Sequence, residues 1–320
     1  MKKYIIYVIS LLLLVSLIIL NIYKEKEYTK NLFYMDTYIS VKIVSNNKNK
    51  VDKALNYIEN MFKYYDNLTN RYDINSELSK INNVEGTFNI NKDLYNILEY
   101  SINYYDKTNG LFNINMGNII DIWKKYRDLG EGIPSNIELS KDTDINNIKL
   151  LGNNKIYVNN VNIDLGGIVK GYVTKLIGEY LDKENIKNYI INAGGNVIVG
   201  KKNPYYKIGI EDANDTSKII DVIKGNNICV VTSGGYHRYY EYNGVRYHHI
   251  INPNTNYPSN YMNSVTIISK DCALADILST TLFLMPIEDG LKYIKNYDAE
   301  AIFYSNDNSI IKTEGIKKYE

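Results

Sequence analysis

Residues 231–258 read VTSGGYHRYYEYNGVRYHHIINPNTNYP; residues 264–269 read SVTIIS, and residues 271–283 read DCALADILSTTLF. The apolar SVTIIS run predicts a strand, and Ala273 to Met285 predicts a helix directly behind it. All the histidines of the chain, His237, His248 and His249, fall in this stretch. Asp276 and Thr280 stand four residues apart, so a helix puts them on one face. Imidazoles beside a carboxylate and a hydroxyl point to phosphate chemistry around a hard metal ion rather than to a structural module.

Working downstream, the spacing predicts a helix over Glu288 to Asn296 and strands over Glu300 to Ser305 and Ser309 to Lys312. Upstream, Ile228 to Thr232, Ile219 to Ile223 and Tyr206 to Ile210 read as strands. Tyr189 to Val199 reads as a strand pair broken at Gly194-Gly195, and Ile168 to Glu184 as a helix. Lys155 to Leu165 fits a hairpin turning at Asn159-Asn160. Gly130 to Asn147 is polar and predicts an exposed excursion. Helices are predicted over Gly117 to Lys125, which holds Trp123, over Asp93 to Thr108, and over Lys50 to Tyr65, where Val51, Ala54, Leu55, Ile58, Met61 and Phe62 recur at helical spacing. Asn70 to Asn82 is a loop opening into a short helix, and Phe33 to Val44 alternates like a strand. No regular βαβ repeat emerges, so the expectation is an α+β domain of mixed sheet and helices, not a doubly wound one.

The net charge is +1, which excludes the electrostatic footprint of a nucleic-acid binder. No CxxC occurs, so a cysteine-ligated zinc site is excluded. Cys229 and Cys272 are expected as two buried free thiols, with a single disulfide as the alternative. Asn is over-used, which reads as composition, and Asn can therefore stand where a related protein has Asp.

Lys2 and Lys3 precede an apolar run from Tyr4 to Tyr23 that contains no charge. About 20 such residues span a bilayer, and the leading lysines place the N-terminus in the cytoplasm. A cleaved signal peptide is the rival reading. No small-x-small site follows the run, which favours an uncleaved anchor over residues 1–23, a charged linker over 24–30 and a domain over 31–320. The expected location is the cell membrane, single-pass, with the domain outside the cytoplasm.

Three local patterns carry chemistry. Asp164-Leu165-Gly166-Gly167-Ile168-Val169-Lys170-Gly171 is strand, glycine turn and helix start. It suits an anion, although it is neither a P-loop nor a dinucleotide fingerprint. Asp276 with Thr280 suits Mg²⁺, which takes few protein ligands and keeps positions for phosphate oxygens. His248 and His249 lie in a strand-like stretch and point to opposite faces, so at most one enters a given site. Alone, each has an ordinary structural explanation: a capped turn, a back-bonded Thr, a hydrogen-bonded core His.

Taken in order, the segments resemble the ApbE family, the FAD:protein FMN transferases. The stretches are Met35-Asp36-Thr37; Ser76-Glu77-Leu78-Ser79 with Asn82; Gly110-Leu111-Phe112-Asn113; Asp164 to Gly167 with Lys170-Gly171; Asn192-Ala193-Gly194-Gly195; Thr232-Ser233-Gly234; His249-Ile250-Ile251-Asn252-Pro253; and Ala275-Asp276 with Thr280. The resemblance implies Mg²⁺-dependent transfer of FMN from FAD to a threonine or serine hydroxyl of a target flavoprotein, with release of AMP. It implies Asp276, Thr280 and the Gly167 carbonyl as metal ligands. Asp164 and Lys170 would hold FAD, Met35 and Tyr72 would pack on its rings, and Asn113, Ile114, Asn115 and Val265 would line the pocket. His249 would assist deprotonation of the acceptor. The family usually has Asp at Asn113 and Asn252, Arg-Thr-Gly at Asn254-Thr255-Asn256, and acidic residues at Lys175 and Gly235. The alternatives are an FAD pyrophosphatase using the same residues and an FAD-holding surface protein without turnover.

Overall fold

A computed structural model describes residues 24–320 together with Tyr4 and Tyr7. Apart from those two tyrosines, the predicted anchor lies outside the described residues. Among them, no helix is long and apolar enough to cross a membrane.

The chain opens with a hairpin of β1 (Lys26–Tyr34) and β2 (Thr37–Ser45), closed by Met35 and Asp36. Helix α1 (Lys48–Thr69) follows, capped by Asn47, whose side chain accepts from the Lys50 amide. It buries Val51, Ala54, Ile58 and Phe62 of the expected stripe, leaves Leu55 and Met61 half-buried against the core, and adds Tyr65. Next come α2 (Glu77–Ile81), β3 (Glu85–Asn89), α3 (Lys92–Lys107), α4 (Gly117–Leu129), α5 (Asn136–Leu139), β4 (Ile148–Gly152) and β5 (Lys155–Asn159). Here the predicted hairpin is corrected. The turn lies at Asn153-Asn154, both at positive φ, and joins β4 to β5. β5 then pairs with β3, while the segment after Asn160 runs unpaired toward Gly166. A two-residue hairpin needs φ > 0 at both positions, and two consecutive asparagines supply it.

The second half supplies α6 (Val169–Lys183), β6 (Tyr189–Ala193), β7 (Asn196–Val199), β8 (Tyr206–Glu211), β9 (Ile219–Gly225), β10 (Ile228–Gly234), β11 (Tyr239–Tyr242), β12 (Val245–His248), β13 (Ile251–Asn252) and β14 (Tyr257–Pro258). It ends with β15 (Ser264–Ser269), α7 (Cys272–Phe283), α8 (Ile287–Tyr293), β16 (Ala299–Tyr304) and β17 (Ile310–Lys312). The central sheet runs β1-β2-β6-β7-β10-β15-β16-β17, antiparallel throughout. The α+β reading holds.

Both faces of the middle of this sheet are covered. Cys229 and Val231 of β10 and Val265 and Ile267 of β15 face the main core with α6 and α7, while Val230 and Ile268 face the β8–β9 side. Alternation along the strand produces the split. Double coverage is why every residue of SVTIIS is buried. Helix α7 lies in the core and is capped by Asp271, which accepts from the Ala273 and Leu274 amides.

The two cysteines are not free thiols. Cys229 and Cys272 are disulfide-bonded, with Cα atoms 5.3 Å apart. The core-facing side of β10 presents Cys229 to the first turn of α7, a proximity no local pattern encodes. Closing a loop of 43 residues adds roughly 4 kcal/mol in the chain-entropy picture.

Candidate active site

Gly166 to Gly171 forms the hinge of the site. Asp164 Oδ1 accepts from the Gly166 amide at 2.8 Å, and the Asp164 amide donates to the Ile114 carbonyl at 2.8 Å. The turn is thereby tied both to itself and to the neighbouring loop. Gly167 abuts α7: a Cβ there would lie 3.3 Å from Thr280 Oγ1 and 3.2 Å from the Phe112 ring. One helical turn on, Gly171 donates its amide to Asp276 Oδ2 at 2.8 Å. A Cβ at Gly171 would meet the Cys272 carbonyl at 2.4 Å and Asp276 Cβ at 2.5 Å, so the α6–α7 crossing requires glycine. Gly171→Ala is expected to cost about 1–3 kcal/mol in denaturant unfolding; an unchanged midpoint would contradict this packing. Lys170 Nζ donates to the Gly166 carbonyl at 3.0 Å, which holds its charge over the turn.

Asp276 is 4% exposed. Burial pushes its carboxyl above the ordinary range, opposed by the charge of Lys170, the Gly171 amide and the Asn196 side chain. Asn196 Nδ2 lies 3.4 Å from Asp276 Oδ1, and Asn196 Oδ1 is buried without a hydrogen-bond partner. Ser279 and Thr281 bond back to carbonyls of their own helix, whereas Thr280 meets Gly167. Among the described residues no cluster of three His, Cys, Asp or Glu side chains could cage a metal. The donor set is instead one buried carboxylate, a hydroxyl one turn away and a glycine turn, with an orphaned amide oxygen close by. Such oxygen-only donors suit a hard cation that keeps positions for phosphate.

The histidines separate. The His248 ring is buried edge-on to Phe283; its Nδ1 accepts from the Ile250 amide at 3.2 Å and its Nε2 bonds the Ser259 carbonyl. Both nitrogens are therefore spoken for, with the proton on Nε2. Burial pushes its pKa down to about 4, with the Ser259 bond opposing. The sign follows. The unfolded chain takes a proton near pH 6.5 and the folded one only near 4, so stability falls as pH drops through that window. The loss should approach about 3 kcal/mol, and His248→Gln should flatten that limb of the unfolding curve; an unaltered limb would contradict the assignment.

His249 takes the opposite tautomer. Its Nδ1 faces the Arg238 carbonyl at 3.3 Å. A carbonyl only accepts, so the proton sits on Nδ1 and the Nε2 lone pair is free. Burial, then His248, Arg238 and Lys170, push its pKa down to about 3. Lys170 is thus felt at both Asp276 and His249. His237 lies apart, 3.6 Å from Glu211 on the surface.

The remaining candidates ring this centre or sit behind it. Met35 and Asp36 have φ of 54° and 55°; elsewhere the non-glycine residues at positive φ are all asparagines among the described residues. A methionine there is unusual. Its turn is held by the Met35 amide donating to Asp66 Oδ1 at 3.1 Å and by Arg238, whose Nη2 donates to the Asp36 carbonyl at 2.7 Å and pairs with its carboxylate at 3.0 Å. Tyr72 is exposed, its ring between Arg71 and Lys124 at 4.7 and 4.3 Å, and burial of its hydroxyl raises its pKa to about 12. Asn113 is half-buried. Ile114 and Val265 have their side chains in the core, and Asn115 is buried with its carbonyl oxygen accepting from the Asn162 amide at 3.0 Å. Sequence reasoning missed Arg71, Arg238 and Asn196. Asn196 alone had a signal, the matching Asn192 to Gly195 run beside it.

The departures from the usual pattern keep local bonding. Asn113 Oδ1 accepts from the Asn115 amide at 2.8 Å, as a carboxylate would, and its Nδ2 donates to Thr143 at 2.9 Å, as a carboxylate could not. Asn252 Oδ1 accepts from the Asn254 amide at 2.9 Å. Asn256 sits at φ 59°, which Asn tolerates where glycine is usual. Lys175 pairs with Asp271 Oδ2 at 2.6 Å, the carboxylate whose other oxygen caps α7.

The chain is similar to known proteins. A model of the ApbE family matches residues 35–303. The FAD:protein FMN transferase of Klebsiella pneumoniae is 37% identical over 157 residues, 47% of each chain. That of Buchnera aphidicola subsp. Baizongia pistaciae is 32% identical over 89% of this chain and 90% of its own. The crystal structure of the ApbE protein of Thermotoga maritima aligns with a TM-score of 0.84 at 30% identity, covering 92% of this chain and 99% of that one.

Proposed function

From the premise that this chain belongs to the ApbE family, we propose that it transfers FMN from FAD to a threonine or serine hydroxyl of a target flavoprotein and releases AMP. One observation carries the reading. The Gly166 to Gly171 turn touches Thr280 through Gly167 and Asp276 through Gly171, and its Lys170 is held over the turn by the Gly166 carbonyl. A carboxylate–hydroxyl pair and a cation converge on one glycine turn, as attack on a phosphoanhydride requires.

Mg²⁺ would be held by Asp276, Thr280 and the Gly167 carbonyl, and when bound it would neutralise charge on the phosphoryl oxygens. The chain's own residues do the rest. Lys170 faces the pyrophosphate of FAD, Asp164 fixes the turn beneath it, and Met35 and Tyr72 offer surfaces to the rings. The acceptor hydroxyl attacks the phosphorus on the FMN side; the bond to the bridging oxygen breaks, and AMP leaves with the electron pair. The proton passes to His249 Nε2. Arg238 and Lys170 help keep this ring a weak base in the free protein, and the negative charge of bound FAD opposes them, raising its basicity when it is needed.

The apolar run from Tyr4 to Tyr23 would anchor the enzyme in the cell membrane with the domain outside the cytoplasm. The Cys229–Cys272 disulfide fits an oxidising compartment.

The test is product analysis. With FAD, Mg²⁺ and an acceptor, AMP should appear in step with acceptor-bound FMN, and little should form without acceptor. Free FMN and AMP at the same rate with or without acceptor would replace transfer by hydrolysis.

A further inference from the structure

We infer that Arg71 is a positioning residue for FAD, setting both the carboxylate under the pyrophosphate turn and the aromatic ring offered to the substrate; this rests on FAD being the substrate. Arg71 follows α1 and its side chain is 5% exposed. Its guanidinium reaches three partners on two segments, α4 and the glycine turn. Nη1 donates to Asp121 Oδ1 of α4 at 2.8 Å, Nη2 to the Gly117 carbonyl at 2.7 Å, and Nε faces Asp164 Oδ2 at 3.4 Å. The other Asp164 oxygen holds the Gly166 amide. Arg71 thus faces the outer side of the carboxylate whose inner side shapes the turn beside Gly167.

The same group reaches Tyr72. Asp121 Oδ1 also accepts from the Tyr72 hydroxyl at 3.2 Å, and the guanidinium carbon lies 4.7 Å from the centre of that ring. Gly117 leaves the room for this arrangement: a Cβ there would lie 2.8 Å from Arg71 Nη2 and 2.4 Å from the Asn162 carbonyl. Arg71 Nε is buried without a hydrogen bond within normal reach. One donor of the fork is therefore directed at Asp164 but not yet engaged, and FAD binding against Asp164 would close that gap. A planar fork spans these three partners; the point charge of a lysine cannot.

The experiment measures FAD dissociation constants and steady-state kinetics on the full-length protein. Arg71→Lys should weaken FAD binding on the order of ten- to hundredfold, with the loss in the KM for FAD and not in kcat. Asp164→Asn should cost less in the Arg71→Lys background than in the wild type. Unchanged FAD affinity in a folded Arg71→Lys protein, or strict additivity with Asp164→Asn, would overturn the inference. Should Arg71→Lys fail to fold, Asp121→Asn reaches the same fork from its exposed end. Weakened FAD binding there supports the inference and unchanged binding overturns it. Failure of the wild type itself to bind FAD would overturn the functional reading as well, so the two failures are distinguishable.

Discussion

Asp276→Asn should reduce transfer on the order of a thousandfold or more, while the metal-free protein stays folded and at least as stable as the wild type. Asn keeps an oxygen for the Gly171 amide, which now bonds Asp276 Oδ2 at 2.8 Å, and a turn of the Asn196 amide, whose Oδ1 has no partner, lets it accept from the new Nδ2 in place of its present bond to Asp276 Oδ1. What it removes is charge. Burial raises the Asp276 pKa, so the metal-free fold binds its proton more tightly than the unfolded chain. Stability then falls as pH rises through that window, and the neutral amide lifts the penalty. Mg²⁺ reverses the comparison: it should raise the melting temperature of the wild type, as a ligand of the folded state does, and leave that of Asp276→Asn unmoved. Full activity in this variant, or an equal Mg²⁺ response, would remove Asp276 from the metal site.

His249→Ala should lower kcat by about 10²–10⁴-fold and leave FAD affinity near wild type. The His249 tautomer sets this expectation. Nδ1 is committed to the Arg238 carbonyl at 3.3 Å, which leaves Nε2 as the proton acceptor. His248 has no free nitrogen, since one bonds the Ser259 carbonyl and the other the Ile250 amide. His248→Gln should therefore act on acid stability and His249→Ala on turnover. Equal losses of kcat and FAD affinity in His249→Ala would make it a binding residue and leave the deprotonation step to another group.

Much of the fold was legible because periodicity is local. The stripe of α1 from Val51 to Phe62, the helix carrying Asp276 and Thr280, and the glycine break between β6 and β7 all follow from spacing within a few residues. The Lys155 to Leu165 hairpin was misplaced because two Asn-Asn pairs stand nearby, and both Asn154 and Asn160 adopt positive φ. Strand partners decided between them, and those are distant in sequence. The disulfide lay beyond local reading for the same reason, as 43 residues separate the cysteines.

The site divides in the same way. Asp276 with Thr280, and Asp164 with Lys170, are readable because one helix or one turn holds each pair. Arg71 beside Asp164 and Arg238 beside Asp36 are contacts across the fold; their sequence neighbourhoods, Asn70-Arg71-Tyr72 and His237-Arg238-Tyr239, carry no matching signature. The low basicity of His249 was likewise invisible, because it comes from burial, from Arg238 and from Lys170.

The most direct test is the intact mass of an acceptor domain bearing a candidate threonine, after incubation with the full-length protein, FAD and Mg²⁺, and again with EDTA. The account predicts a gain of one FMN phosphoester on that threonine, lost with EDTA and lost when the threonine is replaced by alanine. An acceptor whose mass stays unchanged while FAD is consumed to FMN and AMP would contradict it.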